Sequence, residues 1–318
     1  MKSFEGKIAV VTGGGSGMGR ELALQLVAMG CDVAMCDLFP EGMAETKRLY
    51  LSQARQGTRV ATFPADVSIE EQVLAFARAV RRDLDTDHIH LLFNNAGIGG
   101  GGGFVDGDRG EWEKTFGVCW YGVYYCTRAF LPLLRNADEG HIVNTSSVNG
   151  FWATLGPDRP HTAYCAAKFA VKGFTEALIT DLALNAPHIK CSVVMPGHIG
   201  TDIPTNSRKI LKGSETAIDI AAARRRLAAQ GVDAAADSDD QIRARVLELE
   251  KRFREDAPTT AAEAATIILN GVKADRWRIL VGSDAHLMDR MVREDPDHAY
   301  EEQFFARFAA AAGWHPGR

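Results

Sequence analysis

The chain has 318 residues, 46% hydrophobic and 24% charged, proportions that exclude a disordered, collagen-like or disulfide-stapled protein. A globular chain of one large or two small domains is expected, with enough length to bury a substantial core. Thirty-six Lys and Arg stand against 41 Asp and Glu, a formal charge of -5 with a pI near 6.0, so no basic field points to nucleic acid or an anionic membrane, and a small soluble partner is favoured.

Residues 7–11 form a short apolar run, followed by a glycine cluster and then by Met18, Leu22 and Leu26 at helical spacing; this reads as strand, tight turn and helix. Further strands are expected at 32–36, 59–64, 89–93, 141–144 and 190–194, with helical segments between them. The alternation predicts a parallel sheet covered by helices. Ser68 and Glu71 have the spacing of a capping box opening the helix that carries Val73, Phe76 and Val80. The rhythm breaks at 204–258, where Ile242, Val246, Leu249 and Phe253 fall on one helical face that Ser238 and Gln241 would cap. An insertion there should lie over the carboxyl ends of the strands as a substrate lid, the alternative being a surface excursion or subunit contact. Thr260 and Glu263 then cap another helix, and 277–281 is the seventh strand. In a helical extension at 284–318, Tyr300, Phe304, Phe305 and Phe308 form an aromatic stripe that should dock on the body or on another subunit. The fold class is thus α/β, a doubly wound Rossmann sheet of seven mainly parallel strands, with 1–318 as one domain.

The six cysteines, at 31, 36, 119, 126, 165 and 191, show neither CxxC nor metal-ligand spacing and read as reduced core thiols, with no metal site. A cleavable signal would remove part of the first strand, and no apolar run approaches the roughly 18 residues of a membrane span. The expected location is the cytosol.

Thr12-Gly13-Gly14-Gly15-Ser16-Gly17-Met18-Gly19 lies between the first strand and the first helix. Glycines there let the backbone turn tightly and approach a pyrophosphate, while the helix N-terminus supplies unpaired N–H groups. Asp37, at the end of the second strand and twenty residues after Gly17, has the spacing of a carboxylate on an adenosine ribose diol. A carboxylate repels a 2'-phosphate, and neither Ser16 nor Leu38 offers a cation to recruit one, so NAD is favoured over NADP. Asp66 and Val67 should sit near the adenine.

Tyr164 and Lys168 stand four apart on one helical face, which places an ammonium below a phenol and the cofactor ribose. They follow the fifth strand and Asn144-Thr145-Ser146-Ser147, at the carboxyl edge of the sheet. On these motifs the chain resembles the short-chain dehydrogenase/reductase family, in its NAD-dependent branch with TGxxxGxG and YxxxK signatures. The match runs from about residue 7 to 282 and takes in Thr12 to Gly19, Asp37, Asp66-Val67, Asn94-Asn95-Ala96-Gly97, Ser147, Tyr164, Lys168 and Pro196-Gly197 with Thr201.

The resemblance implies that Tyr164 exchanges a proton with the substrate oxygen while a nicotinamide exchanges hydride with the carbinol carbon. Ser147 would donate a hydrogen bond to that oxygen, and Lys168 would hold the ribose and help depress the phenol. Asn94, Ala96 and Gly97 would support the central sheet and the cofactor edge, and Ile199 and Thr201 would contact the nicotinamide carboxamide and the diphosphate. A homotetramer or dimer is implied, with the long helices around 111–135 and 162–185 packing across a two-fold axis. One residue departs from the family pattern: Cys119 stands where an Asn usually helps to hold a relay water, and a thiol is a poor substitute for an amide. The segment between Ser147 and Tyr164, with Phe151, Trp152, Pro157 and His161, would line the substrate mouth together with Phe104 and the lid. That favours a bulky apolar or aromatic secondary alcohol or ketone over a small hydroxy acid; for a carboxylate substrate, Arg159 or Arg208 would serve. Two other functions share the fold: an NAD-binding sensor without useful catalysis, and an epimerase or dehydratase holding NAD tightly.

Overall fold

In the first strand, β1 (Ile8–Thr12), Ile8 and Val10 bury into one apolar cluster while Ala9 and Val11 bury into another, so both faces of the sheet are covered. A strand buried on both faces reads as an unbroken apolar run, which is how it stands in the sequence. The computed structural model describes residues 1–51, 57–156, 159–229 and 232–313. From β1 the chain runs through α1 (Gly17–Ala28), β2 (Asp32–Asp37), α2 (Pro40–Leu51), β3 (Val60–Pro64), α3 (Glu70–Asp83), β4 (Leu91–Asn94) and α4 (Arg109–Phe116). A π-helical turn, Gly117–Tyr121, joins α4 to α5 (Gly122–Arg135), and β5 (Gly140–Thr145), α6 (Thr162–Asn185) and β6 (Ile189–Pro196) follow. The inserted region holds β7 (Ile199–Gly200), α7 (Ile203–Lys212), α8 (Ile220–Ala229) and α9 (Asp239–Glu255); then come β8 (Thr259–Thr260), α10 (Ala261–Lys273), β9 (Arg278–Val281), α11 (Ser283–Glu294) and α12 (Glu302–Ala312).

Seven strands pair in the order β3-β2-β1-β4-β5-β6-β9, every pairing parallel. Helices α3, α5 and α6 cover one face through Phe76, Val80, Phe130, Leu134 and Ala167, and α1 and α10 cover the other through Leu22, Leu26, Ile268 and Leu269. The order reverses between β1 and β4, which opens a crevice outside their carboxyl ends.

The caps expected at Ser238/Gln241 and Thr260/Glu263 are both formed as reciprocal capping boxes. The one expected at Ser68/Glu71 is not. Helix α3 starts after Ile69, and the Ser68 hydroxyl donates instead to Asp66 Oδ1 at 2.6 Å. The carboxylate next to it is the stronger acceptor, so Ser68 serves a charged pair rather than the helix end. The aromatic stripe docks on the body: Phe304 and Phe308 are buried against Trp152, and Trp152 Nε1 donates to the Ala299 carbonyl at 2.6 Å. Trp152, expected at the substrate mouth, is therefore a core residue 1% exposed; its apolar area is covered by the C-terminal helix, a contact across about 150 residues. Phe151 joins the same cluster, Phe104 is exposed with its ring edge toward Trp112, and Pro157 lies outside the described residues.

Candidate active site

The crevice begins at the glycine turn after β1. Gly13 has φ +70° and Gly17 φ +51°, and a Cβ on Gly13 would come within 2.9 Å of Ala96 Cα. Only glycine lets the loop close against the segment after β4 and leave amides facing outward. Helix α1 starts at Gly17, so its unpaired N–H groups point at the crevice. Gly13, Ser16, Gly17 and Met18 form one wall; Asp37, Leu38, Phe39, Asp66 and Val67 the far end; Ala96, Gly97, Ile98 and Thr201 the inner end.

The Asp37 carboxylate accepts hydrogen bonds from the Gly15 and Phe39 amides at 2.9 and 3.0 Å. Burial pushes its carboxyl above the ordinary range, and the Phe39 and Gly15 amides pull it back. Asp66 is held by Lys114 at 2.5 Å and by Ser68; these bonds outweigh burial and leave its carboxyl below the usual range. Asn95 Oδ1 is a buried acceptor with no partner among the described residues, while the amide group beside it donates to the Thr12 carbonyl. An orphaned acceptor, a cradle that any Cβ would fill and a carboxylate at the far end together fit a dinucleotide.

Several of the expected cofactor residues stand behind the wall rather than in it. Gly15 holds Asp37, and Gly19 packs under the Gly13 carbonyl, where a Cβ would come within 2.0 Å of that oxygen. Asn94 donates to Asn144 Oδ1 at 2.8 Å and to Thr127, tying β4 to β5 as the resemblance implied. Pro196 ends β6, Gly197 packs against Asp284, and Ile199 buries its side chain in the core while its backbone pairs with Thr259.

Ser147, Tyr164 and Lys168 come together at the inner end. Lys168 is buried, donates to the Thr145 carbonyl at 2.9 Å and lies 5.3 Å from the centre of the Tyr164 ring. Cleft residue Gly97 is the link: a Cβ there would sit 3.5 Å from Lys168 Nζ and 3.8 Å from Cys119 Sγ. Tyr164 is hydrogen-bonded to Ser147. Burial pushes the phenol up from its ordinary range, against the depression expected from the sequence, and the Ser147 bond only partly offsets it. Burial likewise pulls the Lys168 ammonium down. Cys119 is fully buried in the π-helical turn, and its thiol donates to the Ile98 carbonyl at 3.2 Å. His161 packs at a tilt against the Tyr164 ring at 4.7 Å between centres, and burial pulls its pKa down to about 4, so it is neutral at neutral pH.

Helix α7 was not resolved by sequence reasoning. Ile203, Asn206 and Ile210 face the crevice, with Asn206 Nδ2 donating to Ser16 Oγ at 3.2 Å, while Pro204, Ser207 and Leu211 face a second cavity of about 710 Å³. That cavity lies under α8 and α9; Ile218, Leu227, Val246, Leu249 and Phe253 give it an apolar wall, and Gly99, Leu155 and Arg159 bring it to the segments flanking the Tyr164 cluster. Arg208, one of the two cations considered for a carboxylate, is taken by Glu250 in a largely buried ion pair. Two signals were available: Val246, Leu249 and Phe253 had the right spacing, and Asn206 and Ile210 stand on the helical face begun by Ile203.

Comparison with known proteins agrees with this architecture. The sequence model of the family described as short chain dehydrogenase matches residues 7–211. A Mycobacterium tuberculosis protein named "Putative oxidoreductase SadH" is 36% identical over 293 residues, 92% of each chain. Human epidermal retinol dehydrogenase 2 is 34% identical over 201 residues, 63% of this chain and 62% of that one. The crystal structure of a short chain dehydrogenase/reductase from Burkholderia phymatum in complex with NAD superposes with a TM-score of 0.74 at 30% identity, covering 93% of this chain and 96% of the other.

Proposed function

The chain belongs to the short-chain dehydrogenase family, and from that premise we propose that it transfers hydride between NAD(H) and a bulky, largely apolar secondary alcohol or ketone. The observation that carries this reading is the cluster of half-buried Tyr164 with buried Ser147 and Lys168, joined through Gly97 to a crevice shaped for a dinucleotide. NAD rather than NADP follows from Asp37, whose carboxylate stands at the ribose end of the crevice. Two lysines on that side are already paired, Lys209 over the Phe39 ring with Glu215 and Lys114 with Asp66.

Bound nicotinamide would supply the hydride acceptor in the oxidative direction. Gly13, Ser16, Gly17 and Met18 would hold its diphosphate, Thr201 at the inner end would meet the nicotinamide carboxamide, and Asp66 and Val67 would border the adenine. Tyr164 takes the alcohol proton as base, and Ser147 donates to the same oxygen and fixes it. The ammonium of Lys168, 5.3 Å from the centre of the Tyr164 ring, would by its charge favour the phenolate against the upward push of burial. Residues 204–258 act as a lid, and the cavity beneath admits the apolar body of the substrate. Exposed Tyr121 beside α5, together with Phe169 and Leu184 on α6, gives the homo-oligomer an apolar face. The six cysteines are free thiols, in keeping with a reducing cytosol, and among the described residues no helix is long and apolar enough to cross a membrane.

The test is a panel of steroid, terpenoid, aromatic and small hydroxy-acid alcohols incubated with NAD or NADP and followed by coenzyme absorbance. Turnover with NAD and bulky alcohols is expected. Preference for small hydroxy acids, or product formed without net NADH, would overturn the reading.

A further inference from the structure

A carboxylate outside the crevice lining holds the segment that leads into it. Asp284 is the second residue of α11 and 4% exposed. Its Oδ2 accepts from the His198 amide at 2.6 Å, and its Oδ1 from the Ala285 amide at 2.9 Å. The first bond crosses 86 residues of sequence and leaves the helix altogether, so the side chain does more than serve its own helix N-terminus. Glycines surround it by necessity. A Cβ on Gly197 would meet the carboxylate at 2.3 Å, and one on Gly282 would meet Oδ1 at 2.4 Å.

The segment so gripped runs straight into the crevice. After His198 come Ile199 and Gly200, paired with Thr259 and Thr260, and then Thr201, which lines the inner end and lies against Gly17. The His198 ring is fixed independently, with Nε2 2.7 Å from the Phe253 carbonyl of α9 and the ring packed at a tilt against that of Phe253. Backbone and side chain of one residue thus tie α11 and the lid helix to β7, the strand that leads into Thr201. A buried carboxylate accepting two amides is costly to misplace, because charge-assisted bonds are about twice as strong as neutral ones.

We infer that Asp284 is a positioning residue: acting through the His198 amide, it sets the pose of residues 197–201 and so of the nicotinamide end of the bound coenzyme. The inference rests on the dinucleotide site proposed above. Asp284→Asn keeps the shape and leaves one acceptor where two are needed, so an NH2 group confronts an amide N–H in either flip. Titration of NADH and of ADP-ribose, which lacks the nicotinamide, separates the roles. Asp284→Asn should weaken NADH about tenfold and ADP-ribose by less than about twofold, with kcat falling as well at saturating NADH. Gly197→Ala, whose methyl meets the carboxylate, should show the same selective loss and decides the matter if the Asn variant does not fold. Equal weakening of both ligands, no weakening of either, or failure of both variants to fold overturns the inference. Failure of the parent protein to bind NADH overturns the dinucleotide site itself.

Discussion

Replacing Lys168 by Met tests the electrostatic part of the mechanism. The buried ammonium lies 5.3 Å from the centre of the half-buried Tyr164 ring. At an effective dielectric constant of about 20, a unit charge at that distance is worth about 3 kcal/mol to a phenolate, or about two pKa units. The sign is fixed: a nearby cation favours the charged phenolate, so removing it raises the phenol pKa further in the direction burial already pushes it. Alcohol oxidation needs the phenolate, so its rate should rise with pH along a limb displaced about two units upward, with about a hundredfold less activity at pH 7. Stability should stay within about 1 kcal/mol of the parent, because the lost bond to the Thr145 carbonyl is offset by relief of a buried charge that has no carboxylate partner among the described residues. The assay is kcat/KM for the oxidation against pH, with urea unfolding alongside. A limb at the same pH as the parent, with the fold intact, would refute this reasoning.

Further outcomes follow from other residues. Asp37→Ala should lower kcat/KM with NAD by about tenfold to a hundredfold and raise it with NADP; the ratio of the two, measured with one alcohol, checks it. Trp152→Ala should cost about 3–5 kcal/mol in chemical unfolding, since Phe304 and Phe308 lose the ring they pack on. Cys119→Ser keeps a donor for the Ile98 carbonyl in nearly the same volume, so steady-state turnover should stay within about threefold of the parent.

The central strands were legible because they are buried on both faces and therefore stand as apolar runs between turn residues, while the edge strands β3 and β9, only partly buried, were legible from their place in the alternation. Thr12 to Gly19 and Asp37 were legible because the turn, the helix start and the strand end are local in sequence. What escaped was decided by contacts between distant segments. Trp152 carries no mark distinguishing a pocket wall from a docking site, and only α12 folding back settles it. Ser68 had the spacing of a cap, but Asp66 and Lys114 form a charged pair that takes its hydroxyl. Ile199 was expected to face the coenzyme, and its pairing with Thr259 turns the side chain into the core. Asp284 gave no signal, because its partner at His198 becomes a neighbour only when β6 and β9 pair.

The central claim is that the Tyr164 phenol exchanges a proton with the substrate oxygen beside a bound dinucleotide. Its most direct test is Tyr164→Phe, read as NADH formation from NAD and the best alcohol of the panel, together with NADH affinity. The account predicts loss of turnover by at least about a thousandfold, with affinity changed by less than about twofold. Turnover within about tenfold of the parent would contradict it.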